Sequence, residues 1–163
     1  REGGRMAPNL AVGRDTAMSI SFSYRRWKLD GGADYVFKHP NLKLRFDGDN
    51  VIGTVTEQYD FSSAVGETTD VTWDDSSRVG QWNHVGLVRD VANQKVILYA
   101  NGVKIQELAD DTLNGLASRL GIPDADVIFH TDDEPGWQFN HFAVFKEALS
   151  AADMERVRIT LPI

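Results

Sequence analysis

The sequence predicts an all-β fold, an antiparallel β-sandwich of the jelly-roll type with one or two short helices. Apolar and polar residues alternate in about ten short runs, and turn residues separate these runs along the chain. In the first run Met18, Ile20, Phe22 and Tyr24 alternate with serines. Successive side chains of a strand point to opposite faces, so this run predicts one face on the core and one face in water.

Other runs have the same character. Leu42, Leu44 and Phe46 alternate with the basic residues Lys43 and Arg45. Further strands are predicted over residues 35–38, 51–56, 69–73, 85–89, 95–100, 103–108, 127–130 and 137–145. Short strands at this spacing favour a sandwich over a helical bundle or a parallel sheet with crossover helices.

Turn chemistry separates the runs. Asn101 and Gly102 lie between two apolar runs, and both residues tolerate the positive φ values of a type I′ turn, so the pair predicts a tight β-hairpin. The segment 47–50, Asp-Gly-Asp-Asn, predicts a second turn between two strands.

Two short segments have a helical pattern. Residues 113–120 carry apolar side chains at helical spacing, and Gly121 follows them as a stop signal. This helix is expected to lie on the sandwich. The segment 150–153, Ser-Ala-Ala-Asp, resembles a capping box, after which Met154 and Val157 can face inward for about two turns.

Composition limits the classes of function. The 163 residues suit a single domain over residues 1–163, with residues 1–16 interpreted as an arm or linker from a longer chain. Seventeen basic and 24 acidic side chains give a net charge of −7, which argues against nucleic acid as a partner. The absence of cysteine excludes a thiolate nucleophile, a cysteine-ligated metal and a disulfide. No apolar run approaches the roughly 20 residues that span a bilayer.

Several segments resemble one known family, the laminin G-like branch of the concanavalin A-like lectin/glucanase superfamily. Its central hairpin is similar to the runs 81–90, Gln-Trp-Asn-His-Val-Gly-Leu-Val-Arg-Asp, and 95–103, Lys-Val-Ile-Leu-Tyr-Ala-Asn-Gly-Val. Its early strand resembles residues 19–24, and its penultimate strand and short helix resemble residues 139–145 and 148–153. The resemblance covers most of the chain from Met18 to Val157 and implies a concanavalin A-like jelly roll. The chain departs from the family pattern over residues 141–143 and 110–126, near loops where relatives place ligands.

The resemblance also bears on catalysis. Enzymes of the superfamily carry an array of carboxylates on one strand, and retaining glycosidases need two carboxyl groups about 5 Å apart. The sequence contains no such array, because Glu57 and Asp60 flank a predicted strand end and the acidic run 132–134 precedes a Pro-Gly turn. A non-enzyme is therefore predicted, with a glycoside hydrolase or polysaccharide lyase of the same fold as an alternative.

Calcium is the metal that the acidic loops favour. The ion prefers several carboxylate and carbonyl oxygens, and the segments 47–50, 124–126 and 132–134 offer such groups. The resemblance implies that many relatives hold calcium at a loop rim of the sandwich. Asp132 and Asp133 are the predicted ligands, and the alternative is that these acids only favour turns.

Exposed aromatic rings support glycan binding, because sugar rings stack on them. Trp27, Tyr59 and Trp137 lie near predicted loops and are candidates for exposed platforms, with core or rim packing as the alternative. Trp82 is expected in the core, and His84 is expected to be partly buried and hydrogen-bonded within the sheet. The predicted ligand-binding residues are Tyr59, Trp137, Asn140, Asp132 and Asp133.

These observations lead to one principal hypothesis of function. It is a non-catalytic module that binds a glycan or surface polymer through loops at one rim of the sandwich. The main alternative is a structural domain of a multimeric phage or bacterial surface protein, whose partners are other subunits of the assembly. An extracellular or virion-surface location is expected in either case.

Overall fold

A computed structural model of the chain describes residues 4–6, 12–13, 17–27, 29, 34–38, 42–56, 67–110, 121–122, 127–129 and 136–160. In chain order the strands are β1 (Gly4–Met6), β2 (Val12–Gly13), β3 (Met18–Arg26), β4 (Asp34–Lys38), β5 (Leu42–Asp47), β6 (Asn50–Thr56), β7 (Thr68–Asp74), β8 (Trp82–Asp90), β9 (Lys95–Ala100), β10 (Val103–Ala109), β11 (Gly121–Ile122), β12 (Val127–Phe129) and β13 (Trp137–Phe145). One α-helix, α1 (Ala151–Thr160), follows the last strand.

The strands form two antiparallel sheets that pack on each other. The six-stranded sheet has the order β1-β12-β4-β5-β6-β7, and the five-stranded sheet has the order β10-β9-β8-β3-β13. β2 and β11 form a separate pair. The predicted all-β sandwich is therefore confirmed.

The predicted hairpin between β9 and β10 is also confirmed. Asn101 has a φ of 50° and Gly102 a φ of 82°, the positive values that a type I′ turn requires. Val103 pairs with Ala100 directly across this turn. Gly48 likewise has a positive φ of 57° in the turn that joins β5 to β6.

The main core fills the space between the sheets. Met18, Ile20, Phe22 and Tyr24 point into it from alternate positions of β3, and all four are fully buried. The sheets approach closely at Gly53 of β6, where a Cβ atom would lie 2.6 Å from Leu87 Cδ1. The burial of Met18, Ile20, Phe22 and Tyr24 shows that alternation in the sequence correctly predicts the inward face of β3.

The outer face of the five-stranded sheet carries a second, smaller core. It lies under α1 and contains Val88, Ile97, Tyr99, Leu149 and Met154, with Phe145, Ala148 and Val157 packed against them. Ser19 and Ser21 of β3 are consequently fully buried, whereas alternation alone predicts them in water. Ser19 Oγ donates to the Glu147 carbonyl at 2.8 Å and accepts from the Leu149 amide at 2.9 Å.

The predicted capping box begins α1. The Asp153 amide donates to Ser150 Oγ at 3.1 Å, and that hydroxyl donates to the Asp153 carboxylate at 2.9 Å. Met154 is buried and Val157 packs beside it, as predicted. The other predicted helix, over residues 113–120, lies outside the described residues. In the part of the chain that the structure describes, no helix has the length and apolar character of a membrane span.

A buried ion pair lies at each end of the main core. Arg26 pairs with Asp75 at the end where β3 finishes, and Arg89 Nε donates to Asp110 Oδ2 at 3.1 Å at the opposite end. All four side chains are almost fully shielded from solvent. These pairs join β3 and β8 to the segments that follow β7 and β10.

Candidate functional site

The outer face of the five-stranded sheet is divided into two areas. Helix α1 covers one area, and the other stays open beside the ends of β3 and β8. In the open area the strand register aligns side chains in rows, because Arg25 of β3 pairs with Trp82 of β8 on one side and with Gln138 of β13 on the other. We call this area the outer patch; it consists of Ser23, Arg25, Trp82, Gln138 and Asn140.

Trp82 gives the outer patch its aromatic surface. Its side chain is 45% exposed, so the expectation that it lies in the core is wrong. Trp82 lies on the outer face of β8, the same face as Gly86 and Val88. Helix α1 covers Gly86 and Val88 but does not extend to Trp82 at the start of the strand. Trp27, just past the end of β3, is 50% exposed, as predicted for a platform.

Polar side chains flank the exposed indole. Arg25, Gln138 and Asn140 are exposed, and together they offer guanidinium and amide donors and amide acceptors. No side-chain partner of Arg25 occurs among the described residues, whereas Arg26, the next residue, donates to the Asp75 carboxylate and to the Gly48 carbonyl. The outer patch therefore combines a stacking surface with exposed hydrogen-bonding groups.

A buried network holds this end of the sheet in place. The Asp75 carboxylate accepts from Arg26 Nε at 2.9 Å and from the Tyr24 hydroxyl at 2.6 Å. The Arg26 carbonyl accepts from the Gly80 amide at 2.7 Å, and its guanidinium donates to the Gly48 carbonyl at 2.9 Å. Burial and the Asp75 carboxylate both raise the pKa of Tyr24, so its hydroxyl stays a donor. The network fixes the backbone from which Arg25, Trp27 and Trp82 project.

His84 lies next to the outer patch but is only 5% exposed. Its burial agrees with the sequence expectation, but the expected hydrogen bond within the sheet is absent, since neither ring nitrogen has a partner among the described residues. The hydrogen bonds to Asn101 involve only the backbone of His84. Burial and, second to it, the Arg158 guanidinium lower the pKa of His84 to about 4, while Glu155 acts in the opposite direction. The imidazole is therefore neutral at physiological pH.

The five predicted ligand-binding residues have different positions. Asn140 is exposed in the outer patch. Trp137 is only 4% exposed, so it is not the exposed platform that the sequence suggests. It pairs with the inward-facing Arg26, and its ring contacts the rings of Phe46 and Phe139 in the main core. Tyr59, Asp132 and Asp133 lie outside the described residues.

A local bulge explains why Phe142 points into the core although it has the same parity as the outward-facing Gln138 and Asn140. The register of β13 against β3 shifts between Asn140 and Ala143, and His141 has a positive φ of 55°. Asn140 Oδ1 accepts the His141 amide at 2.9 Å. The bulge brings Phe142 against the core rings of Phe22 and Phe37.

The described residues offer no metal centre, because they include no group of three or more His, Asp or Glu side chains arranged to hold an ion. The predicted calcium ligands, Asp132 and Asp133, are not among these residues.

Known proteins with similar structures show what fold this is. The binding domain of botulinum neurotoxin serotype D matches with a TM-score of 0.69 and 17% identity over 96% of this chain and 40% of that chain. The serotype G binding domain matches with a TM-score of 0.68 and 16% identity over 90% of this chain and 37% of that one. The chain shares its fold with part of these binding domains. It spans about 40% of the length of the serotype D domain.

A third similar structure was solved with a partner. The binding domain of botulinum neurotoxin DC, in complex with rat synaptotagmin II, matches with a TM-score of 0.67 and 16% identity over 91% of this chain and 37% of that chain. No protein family model matches the chain, and no curated protein matches it. Membership of the laminin G-like branch therefore stays a prediction, while the β-sandwich itself is shown.

Proposed function

We propose that this chain is a non-catalytic recognition module whose outer patch binds a glycan or a surface polymer. The observation that carries the proposal is the position of Trp82, an exposed indole directly opposite an exposed Arg25 with no partner among the described residues. Saccharides present apolar C–H faces to aromatic rings and hydroxyl groups to guanidinium and amide groups. Trp82, Arg25, Gln138 and Asn140 offer both kinds of contact.

The similar structures support the recognition part of this proposal. They are described as binding domains or receptor-binding domains, and one was solved in complex with rat synaptotagmin II. A fold can host many functions, so the ligand class of this chain depends on the chemistry of its outer patch. No nucleic acid is proposed as a partner, because the chain has a net charge of −7.

A glycan array followed by titration of the strongest ligand tests the proposal. Trp82→Ala should weaken binding about 30-fold, the effect of losing a central aromatic contact of about 2 kcal/mol. Trp27→Ala and Arg25→Gln should weaken it less. Val103→Ala is the matched control, because Val103 is an exposed apolar side chain on β10, which is not a strand of the outer patch and is separated from β8 by β9.

The loop residues predicted from the sequence remain part of the proposal. Asp132 and Asp133 precede β13, which contributes Gln138 and Asn140 to the outer patch, and Tyr59 follows β6. If these residues extend the site, Tyr59→Ala and Asp132→Asn each weaken the same ligand. Calcium at Asp132 and Asp133 is tested by EDTA, which should lower the melting temperature of the wild type but not of Asp132→Asn.

A structural role in an assembly is the second candidate, favoured by β10. This strand is an edge of its sheet and exposes Val103, Ile105 and Leu108. Edge strands with exposed apolar side chains favour association with another chain, although β7 already contacts this edge through Gln106, whose Oε1 accepts the Thr72 amide at 2.7 Å. Stable oligomers that Ile105→Lys dissociates, together with no ligand on a broad array, would support assembly instead of glycan recognition. A hydrolase or lyase is tested by product release from mixed polysaccharides, and none is expected.

A further inference from the structure

His84 is a buried imidazole at the junction of the sheet, the β9–β10 turn and α1. It lies on the outer face of β8, two residues before Gly86, over which Met154 of α1 packs. Both ring nitrogens are shielded from solvent and have no hydrogen-bond partner among the described residues. A buried polar group without partners is costly, and a charge there is costlier still.

The helix beside His84 carries a charged pair at the turn. Arg158 Nε donates to Glu155 Oε2 at 2.7 Å, and a second guanidinium nitrogen contacts the other carboxylate oxygen. The pair lies over Gly102, where a Cβ atom would come within 2.9 Å of Glu155 Cδ. The lack of a side chain at Gly102 therefore lets the C-terminal half of α1 approach the β9–β10 turn.

The groups around His84 leave little to stabilise a positive charge. Three elements surround it: β3, the end of β9 with its turn, and α1. They present Ser23 and Arg25, then Tyr99 and Asn101, and finally Glu155 and Arg158. Glu155 is the one carboxylate among these six residues, and Arg158 already engages it.

We propose that His84 is an acid-sensitive latch: the neutral imidazole allows α1 to rest on the sheet, and protonation releases the C-terminal half of α1 from the β9–β10 turn. An imidazolium in this position is a buried charge that faces the Arg158 guanidinium. If Glu155 turned to pair with it, the Glu155–Arg158 pair over Gly102 would break. Both the repulsion by Arg158 and the loss of the Glu155–Arg158 pair weaken the docking of the helix. Undocking relieves the cost of the buried charge, because it returns the charged ring to water.

The pH range over which the helix is released follows from the direction in which burial shifts the pKa of His84. The pKa of His84 is about 4 with the helix docked, against 6.5 for an ordinary histidine. Because the docked state disfavours the proton, docking is strongest above pH 6.5 and weakens as the pH falls from 6.5 towards 4. The latch does not rest on the proposed glycan function, because the element that it releases is α1, although Ser23 and Arg25 of the outer patch lie beside His84.

A single engineered thiol can report the release, because the chain has no cysteine of its own. Val157→Cys places a thiol under α1, and Val71→Cys places one in the main core as the control. Labelling with dithiodipyridine, a reagent active in acid, is normalised to free cysteine at each pH. We expect labelling of the thiol introduced at position 157 to rise about tenfold between neutral pH and about pH 5.5, while labelling of the core thiol stays low.

Two further variants separate a latch from general acid sensitivity. In a His84→Gln background the rise at position 157 should disappear. In an Arg158→Gln background it should be smaller, because one repulsive charge is gone and the docked helix tolerates the proton better. An equal rise with His84→Gln, or no rise in the wild-type background, overturns the proposal. A parallel rise at position 71 also overturns it, because it would indicate global unfolding. If the cysteine variants fold poorly, hydrogen exchange of the α1 amides in the unmodified chain and in His84→Gln decides the same question.

Discussion

Met154 of α1 packs directly on Gly86 of β8. A Cβ atom at Gly86 would lie within 2.6 Å of Met154 Cε and 3.2 Å of its Cγ, so the thioether occupies the space that a side chain at position 86 would need. This contact fixes the distance between the helix and the sheet. It also explains why a glycine stands in the middle of a strand whose other residues are large.

The contact predicts a coupled pair of substitutions. Gly86→Ala should lower the free energy of unfolding by about 1–3 kcal/mol through overpacking. Met154→Ala should lower it by about 2–5 kcal/mol through a cavity. In the double variant Gly86→Ala should cost less than in the wild type, because the flexible thioether is gone. Urea denaturation of the four chains measures the coupling, and strictly additive losses would contradict the packing described.

The Arg26–Asp75 pair predicts a large loss when one partner is removed. Asp75→Ala leaves a guanidinium buried without its carboxylate and deprives Tyr24 of its acceptor, so the free energy of unfolding should fall by about 3–5 kcal/mol. Tyr24→Phe removes one hydrogen bond and should cost about 1 kcal/mol. Chemical denaturation compares the two variants. Losses of equal size would show that the carboxylate has no special role in this network.

Gly102 predicts a turn that tolerates no side chain. Its φ of 82° and the Glu155 carboxylate above it both oppose a Cβ atom. Gly102→Ala should therefore lower the free energy of unfolding by about 1–3 kcal/mol. Gly80 has a similar φ of 80° but open space around it, so Gly80→Ala is a control that measures the backbone contribution alone. Thermal unfolding should show the larger loss at Gly102.

The buried His84 predicts acid-dependent stability. The unfolded chain binds a proton at this side chain near pH 6.5 and the folded chain only near pH 4, so stability is retained above 6.5 and falls between these values. The full loss is about 3 kcal/mol. Urea midpoints measured at intervals across the window should fall more steeply for the wild type than for His84→Gln. Parallel curves would show that other groups dominate the acid response.

Alternation predicts the strands and the inward face of the sandwich well, because a strand has a strict period of two. Met18 to Tyr24 and the Asn101–Gly102 hairpin follow directly from the sequence. Alternation fails where both faces of a strand are covered: Ser19 and Ser21 of β3 are buried under α1 and the segment that leads into it, whereas Ser23 lies in the open outer patch. Only the three-dimensional position of a helix distant in sequence decides this.

The tryptophans show that alternation predicts the direction of a side chain at the candidate site but not its exposure. Trp82 shares the parity of His84 and Val88, so its outward direction could be derived from the sequence. Its exposure could not, because Val88 on the same face is buried by α1. Trp137 adjoins a Pro-Gly turn, which suggests exposure, but its pairing with Arg26 turns it into the core. The sequence does not distinguish Arg25 from Arg26 as a binding residue. The structure does, because Arg26 pairs with Asp75 in the core while Arg25 is exposed.

The indole N–H resonances of the four tryptophans test the central claim most directly. During titration with the strongest glycan from the array, the outer patch predicts that the resonance of Trp82 shifts most and that of Trp27 follows. The resonances of Trp73 and Trp137, which pack in or against the main core, should stay in place. Saturable binding that leaves the Trp82 and Trp27 resonances unmoved would contradict recognition through the outer patch.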